Sequence, residues 1–194
     1  MPSKYKFLGR HMMVKGKYVD MILSGQKTAT IRLGLVKPKY KEMIVHGGGR
    51  PVAKIMITKV TYKKVRELTE EDAIKDGFSS LRELLEELRK VYPEITNDDW
   101  VTVIEFRVVQ RLDKLPVEEP YMGLQPADVA RLGLRYLSNE LSEKAKEILI
   151  DLTRTNSIRA TAQRLFGSIG KRYIVRKTLR KVLGLLKERG VLKG

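Results

Sequence analysis

The 194-residue chain has no cysteine and only two histidines, His11 and His46. Disulfides and thiolate metal sites are thereby excluded, and two imidazoles cannot build a zinc site without carboxylate help, so no metal is expected. No run approaches the roughly 18 apolar residues of a membrane helix, and the opening Met1-Pro2-Ser3-Lys4 lacks the apolar core of a secretion signal. The expectation is a soluble, cytoplasmic protein without cofactor. Acids are scarce too, with 23 Asp and Glu against 39 Lys and Arg, a formal charge of +16. Such a balance favours polyanionic partners, because each phosphate neutralised releases condensed counterions.

The charge is unevenly spread. Residues 1–119 carry 23 Lys and Arg against 17 Asp and Glu, whereas residues 154–194 carry 12 against the single acid Glu188. A surface enriched generally in Lys, Arg and Glu would not lose its acids at one end only.

Hydrophobic content of 42% suffices for one core or two small ones. The periodicity lapses between Gln110 and Gly123, where Pro116, Glu118, Glu119 and Pro120 read as a connector. The predicted division is residues 1–112, a linker 113–123, and residues 124–194. Before the boundary the elements mix. A helical turn over Tyr18 to Leu23 leads to a strand from Thr28 to Leu33, then Glu42 to His46 and Val52 to Val60 form a hairpin about Gly47-Gly48-Gly49-Arg50. Thr69 and Asp72 compose a capping box for a helix that Gly77 ends, and a second helix from Ser79 or Ser80 stops by Pro93. Trp100 to Val109 reads as a central strand. This irregular order predicts an α+β, barrel-like domain rather than a doubly wound sheet. After Gly123 four helices are expected, near Ala127–Leu137, Ser142–Leu152, Ser157–Phe166 and Lys171–Arg189, with Ser142 and Ser157 as N-caps.

The segment Gly25-Gln26-Lys27-Thr28-Ala29-Thr30-Ile31-Arg32 places two cations and hydroxyls at a helix-to-strand junction. On a strand, Thr28, Thr30 and Arg32 share one face, and Lys27 at the turn is able to swing toward it. A hydroxyl, an ammonium and a guanidinium suit phosphate, carboxylate or the carbonyl edge of a base. The candidate ligand-binding residues are therefore Gly25, Lys27, Thr28, Thr30 and Arg32. His46, beside three glycines, reads as an incidental loop histidine, and Trp100 as core packing at the start of its strand, a stacking face for a base being the alternative.

The stretch from about Lys6 to Val109 resembles an ASCH domain, the PUA-like β-barrel family with the signature Gly-x-Lys-x-x-Thr-x-Arg. The resemblance rests on Ser24 to Arg32, on Leu68-Thr69-Glu70-Glu71-Asp72-Ala73-Ile74-Lys75-Asp76-Gly77-Phe78, and on Trp100 to Phe106. It implies a PUA-like barrel with flanking short helices, and RNA binding. One branch of the family comprises amidohydrolases that remove the acetyl group of N4-acetylcytidine. The resemblance to that branch implies catalytic roles for Lys27, Thr30 and Asp76, with Arg32 stabilising the oxyanion. That branch has Glu where this chain has Asp76, one methylene shorter, and it lacks a basic appendage.

In the C-terminal half, a helix from Lys171 would cluster Ile174, Val175, Thr178, Leu179, Val182, Leu183 and Leu186 on one side as a buried stripe and present Arg176, Lys177, Arg180, Lys181 and Lys187 on the other. With the preceding helix, carrying Arg159 and Arg164, and the turn Gly167-Ser168-Ile169-Gly170, the region weakly resembles a helix-turn-helix unit. The candidate nucleic-acid contacts are Arg159, Arg164, Lys171, Arg172, Arg176, Lys177, Arg180 and Lys181, mostly to phosphates. The bland alternative is a helical bundle whose solvated cationic face serves packing or homodimer formation.

The favoured expectation is a nucleic-acid-binding protein, RNA before DNA, with the cleft for recognition and the helices for affinity. The alternatives are an N4-acetylcytidine-type amidohydrolase and a DNA-binding transcriptional regulator. A ribonuclease ranks lowest, since no histidine pair suggests itself for acid–base transfer.

Overall fold

Residues 5–115 and 118–193 are described by the computed structural model, so Pro116 of the expected connector lies outside the described residues. The chain divides into two compact units, Met1–Leu112 and Asp113–Gly194.

In the first unit a five-stranded sheet has the order β2-β5-β6-β7-β3, made of β2 (His11–Met13), β3 (Ala29–Leu33), β5 (Glu42–Gly47), β6 (Arg50–Lys64) and β7 (Trp100–Arg111). A separate parallel ribbon joins β1 (Lys6–Leu8) to β4 (Val36–Pro38). The sheet is mixed, since β2 runs parallel to β5 and the remaining pairs are antiparallel. The β6–β7 register shifts between Lys54 and Ile55 and between Ile57 and Lys59. Such bulges increase local twist, and they let these two long strands curl into a half-barrel. At the β5–β6 hairpin Gly48 and Gly49 have φ of 60° and 80°, the doubly left-handed pair that a tight two-residue turn requires.

Two helices cover one side. In α2 (Glu70–Asp76) the Thr69 hydroxyl accepts from the Asp72 amide while the Asp72 carboxylate accepts from the Thr69 amide, and Gly77 ends the helix at φ 93°. In α3 (Leu81–Val91), capped by Ser80, the buried residues are Leu84 and Leu88. They join Ala29, Ile31, Val101 and Val103 in one core, and Met12, Ile22, Val45, Ile55 and Phe106 form a second around α1 (Val19–Leu23).

Three expectations need correcting. His46 belongs to β5 and is fully buried, with its Nε2 2.8 Å from Nδ1 of His11, so it is no loop residue. Trp100 is 36% exposed, with the Lys64 ammonium 4.7 Å from its ring centroid, and so is not core packing. Strands β1, β2 and β4 were not foreseen; each is three residues long, too short to show a period.

Among its described residues the second unit holds four α-helices, α4 (Pro126–Tyr136), α5 (Glu143–Thr155), α6 (Ile158–Phe166) and α7 (Arg172–Glu188). The Ser142 and Ser157 hydroxyls cap α5 and α6 by accepting from the Ala145 and Ala160 amides. Leu132, Leu149, Leu152, Ala162, Val175, Leu179 and Val182 are at most 1% exposed and form the core. A β-carbon on Gly133 would stand 2.5 Å from Cγ1 of Val182, so α4 and α7 approach closely there. Gly133→Val is expected to cost about 3 kcal/mol by overpacking, read as a lowered denaturant midpoint of helical ellipticity.

Candidate functional site

The site is assembled around the turn from α1 into β3. Gly25 takes φ 79° after the C-cap Ser24, and the Lys27 amide donates to Met21 O at 2.9 Å. The Thr28 amide donates to Lys75 O at 2.8 Å and its carbonyl accepts from the Phe106 amide at 2.8 Å, fixing β3 against both α2 and β7. With β3 thus held, Thr30 and Arg32 line a cavity of about 140 Å³ together with Tyr18, Lys27, Asp76 and Phe78. That volume is below the roughly 300–1,000 Å³ of sites enclosing a drug-sized ligand, so the cavity suits one small group.

Lys27 is 3% and Asp76 6% exposed. The Lys27 ammonium donates to Oδ1 of Asp76, and to the Asp76 carbonyl at 2.7 Å. Asp76 is the last residue of α2, where a negative charge opposes the helix dipole, and the lysine offsets both the charge and the orphan carbonyl. Burial, and then the Arg32 guanidinium, push Lys27 from its ordinary value down to about 7. The Asp76 carboxylate acts in the opposite sense, and the lowering stands because so little of the lysine meets water.

Aromatic and charged groups complete the walls. The Lys27 ammonium lies 4.9 Å from the Tyr18 ring centroid, and Tyr18 meets Phe78 edge to face at 6.0 Å. Arg32 donates from Nη2 to Met13 O at 3.1 Å, while its Nε is buried without a partner among the described residues. At the rim Glu87 accepts from Lys15 at 2.6 Å and Lys17 at 3.3 Å. The Lys15 hydrogen bond keeps the Glu87 carboxyl below its usual range.

The structure therefore brings Lys27, Thr30, Arg32 and Asp76 to one cavity. Gly25 and Thr28 are not among its lining residues; they shape the backbone that presents the others. The shorter Asp76 side chain does reach Lys27. Tyr18, Phe78 and Glu87 were missed by the sequence reading, although Phe78 follows the helix-ending Gly77.

On the helical unit Arg159, Lys171, Arg172, Arg176, Lys177, Arg180 and Lys181 are all exposed. Arg164 differs, since its Nε donates to the buried Asp151 at 3.0 Å and ties α6 to α5, although 63% of the side chain meets solvent. Five residues, 167–171, separate α6 from α7, more than the three-residue turn of a helix-turn-helix unit.

The ASCH domain family model matches residues 5–110. An ASCH domain from Lactobacillus crispatus JV V101 aligns at 23% identity and TM-score 0.46 over 53% of this chain and 79% of its own. The ASCH protein of Zymomonas mobilis aligns at 16% identity and TM-score 0.43 over 53% and 69%, and protein EF3133 of Enterococcus faecalis V583 at 23% and 0.41 over 50% and 69%. A search of curated proteins found no match.

Proposed function

Because this chain belongs to the ASCH domain family through residues 5–110, a family linked to RNA binding, we propose that it is an RNA-binding protein. The small cavity accepts one base, and the helical unit supplies electrostatic affinity. The observation that carries this reading is the one-sided face of α7. Arg176, Lys177, Arg180 and Lys181 are exposed, opposite the buried Val175, Leu179, Val182 and Leu186. Helix α7 also starts without an acid in its first turn, beside Lys171 and Arg172, where a phosphate would find uncompensated positive charge. In the cavity, the Arg32 guanidinium and the rings of Tyr18 and Phe78 fit a base with a carbonyl edge.

Binding of a fluorescein-labelled RNA by the full chain is expected to weaken steeply with salt. The log–log slope between about 50 and 200 mM should reach about −3 or beyond, as several phosphate contacts demand. A flat profile sinks the reading.

A second reading is favoured by one observation, the buried Lys27 brought down to about 7 next to Thr30 and Asp76. A neutral Lys27 amine would take the Thr30 proton as the hydroxyl oxygen attacks the acetyl carbonyl of N4-acetylcytidine. Arg32 would hold the oxyanion; as it collapses the acetyl C–N bond would break, with the Lys27 ammonium returning its proton to the departing N4 amino group of cytidine, and water would then hydrolyse the threonine ester to acetate and the free hydroxyl. Cytidine should accumulate with the wild-type protein and not with Lys27→Ala; equal amounts from both remove the hydrolase.

A further inference from the structure

A second surface of the ASCH unit carries cations and exposed aromatic rings together. Residues 37–41, at the end of β4 and beyond it, and residues 57–62 of β6 enclose an open groove of about 370 Å³ with no carboxylate in its lining. Elsewhere in the unit several lysines are tied to acids: Lys15 and Lys17 to Glu87, Lys63 to Asp72, Lys75 to Glu71 and Glu105. Among the described residues, Lys37, Lys39, Lys41 and Lys59 of the groove have no such ion pair. Lysines on short strands commonly blunt a sheet edge, but that role does not call for exposed aromatics beside them. Here Phe7, which pairs in register with Lys37, is 61% exposed, and Lys39 lies 5.2 Å from its ring centroid. Tyr40 is 41% exposed although the Arg10 guanidinium stacks 3.7 Å from its centroid, and Tyr5, 49% exposed, meets Tyr62 edge to face at 5.9 Å. Unpaired cations that track a backbone, interleaved with rings that offer their faces, are the composition of a single-strand stacking platform.

We infer that this groove and the β1–β4 ribbon hold a stretch of single-stranded RNA, its phosphates on Lys37, Lys39, Lys41 and Lys59 and its bases on Phe7 and Tyr40. The inference rests on the RNA-binding reading above and adds a second contact surface, separate from the cavity.

The test is fluorescence anisotropy with an oligouridine of about twelve nucleotides and the full chain, with heparin as a polyanion that cannot stack. Phe7→Ala with Tyr40→Ala should weaken oligouridine binding about tenfold or more, leave the salt slope and heparin binding unchanged, and be largely rescued by Phe7→Tyr with Tyr40→Phe. Lys37→Gln with Lys39→Gln should weaken both ligands and flatten the slope by about 1. Unchanged fluorescence of the single tryptophan, Trp100, controls for folding of this unit. Wild-type affinity in the aromatic and lysine variants, alongside a weakened α7 charge-reversal variant, overturns the ribbon surface and leaves RNA binding standing. Equal losses toward heparin and RNA in the aromatic variant overturn the stacking. No binding by the wild-type chain at about 50 mM salt removes RNA binding and the ribbon together.

Discussion

Lys27→Met is expected to destabilise the ASCH unit by about 3 kcal/mol, because it strips the buried Asp76 carboxylate and carbonyl of their N–H donor, which the lysine supplies in either protonation state. The Asp76 side chain is buried and its ion-pair partner is Lys27. Removing one member leaves the other desolvated and unmatched, whereas Lys27→Met combined with Asp76→Leu should recover most of the loss. Trp100 gives the readout, since it is the chain's one tryptophan and lies in this unit, so its emission separates the transition from that of the helices. Equal midpoints for the single variant and the wild type would mean that the pair carries no such energy. The pH dependence follows from the same lysine. With a folded value of about 7 against the ordinary 10.5, the unfolded chain holds a proton at Lys27 that the folded chain lacks between those values. Stability should therefore rise with pH from about 7 toward 10.5, and the full cost of burying the ammonium is felt below about 7. That slope should vanish in the methionine variant.

The second large effect concerns RNA affinity. Reversing three exposed charges of α7, Arg176→Glu, Lys177→Glu and Arg180→Glu, should weaken binding about 100-fold near 100 mM salt and reduce the log–log slope by about 2. All three side chains lie outside the helical core, so the ellipticity should be preserved. A variant that binds RNA like the wild type moves the electrostatic interface elsewhere. A variant that loses affinity with no change in slope would mean that these residues do not contact phosphates.

Where local chemistry decides a structure, the residues announced it. The paired glycines 48 and 49 imply a tight hairpin, and Thr69 with Asp72 writes both halves of a capping box before Gly77 closes the helix. The helices after Gly123 follow from apolar spacing, and their serine caps from residue type. Strands β1, β2 and β4 depend on partners distant in sequence, and three residues cannot show alternation. His46 fails for a related reason: the glycines beside it suggest a loop, but β5 continues through it past a register shift at Val45 and His46, and the imidazole is buried against His11. At the cavity, Lys27, Thr30, Arg32 and Asp76 were legible because they sit in two short segments. Tyr18 and Glu87 come to it from α1's approach and from α3, and only the tertiary fold unites them. Arg164 looked like any exposed cation until Asp151 was seen beneath it.

Strand β3 lies at the edge of the sheet and has β7 as its one neighbour there. During synthesis Thr30 and Arg32 are made early, yet the strand that holds them in place emerges only after both helices α2 and α3. Such non-local pairing is slow, since the intervening chain must be closed into a loop before any contact forms. The cavity is thus among the last features of its unit to mature. A nascent chain halted before Trp100 would carry the complete Gly25–Arg32 segment and still have no pocket to offer a ligand.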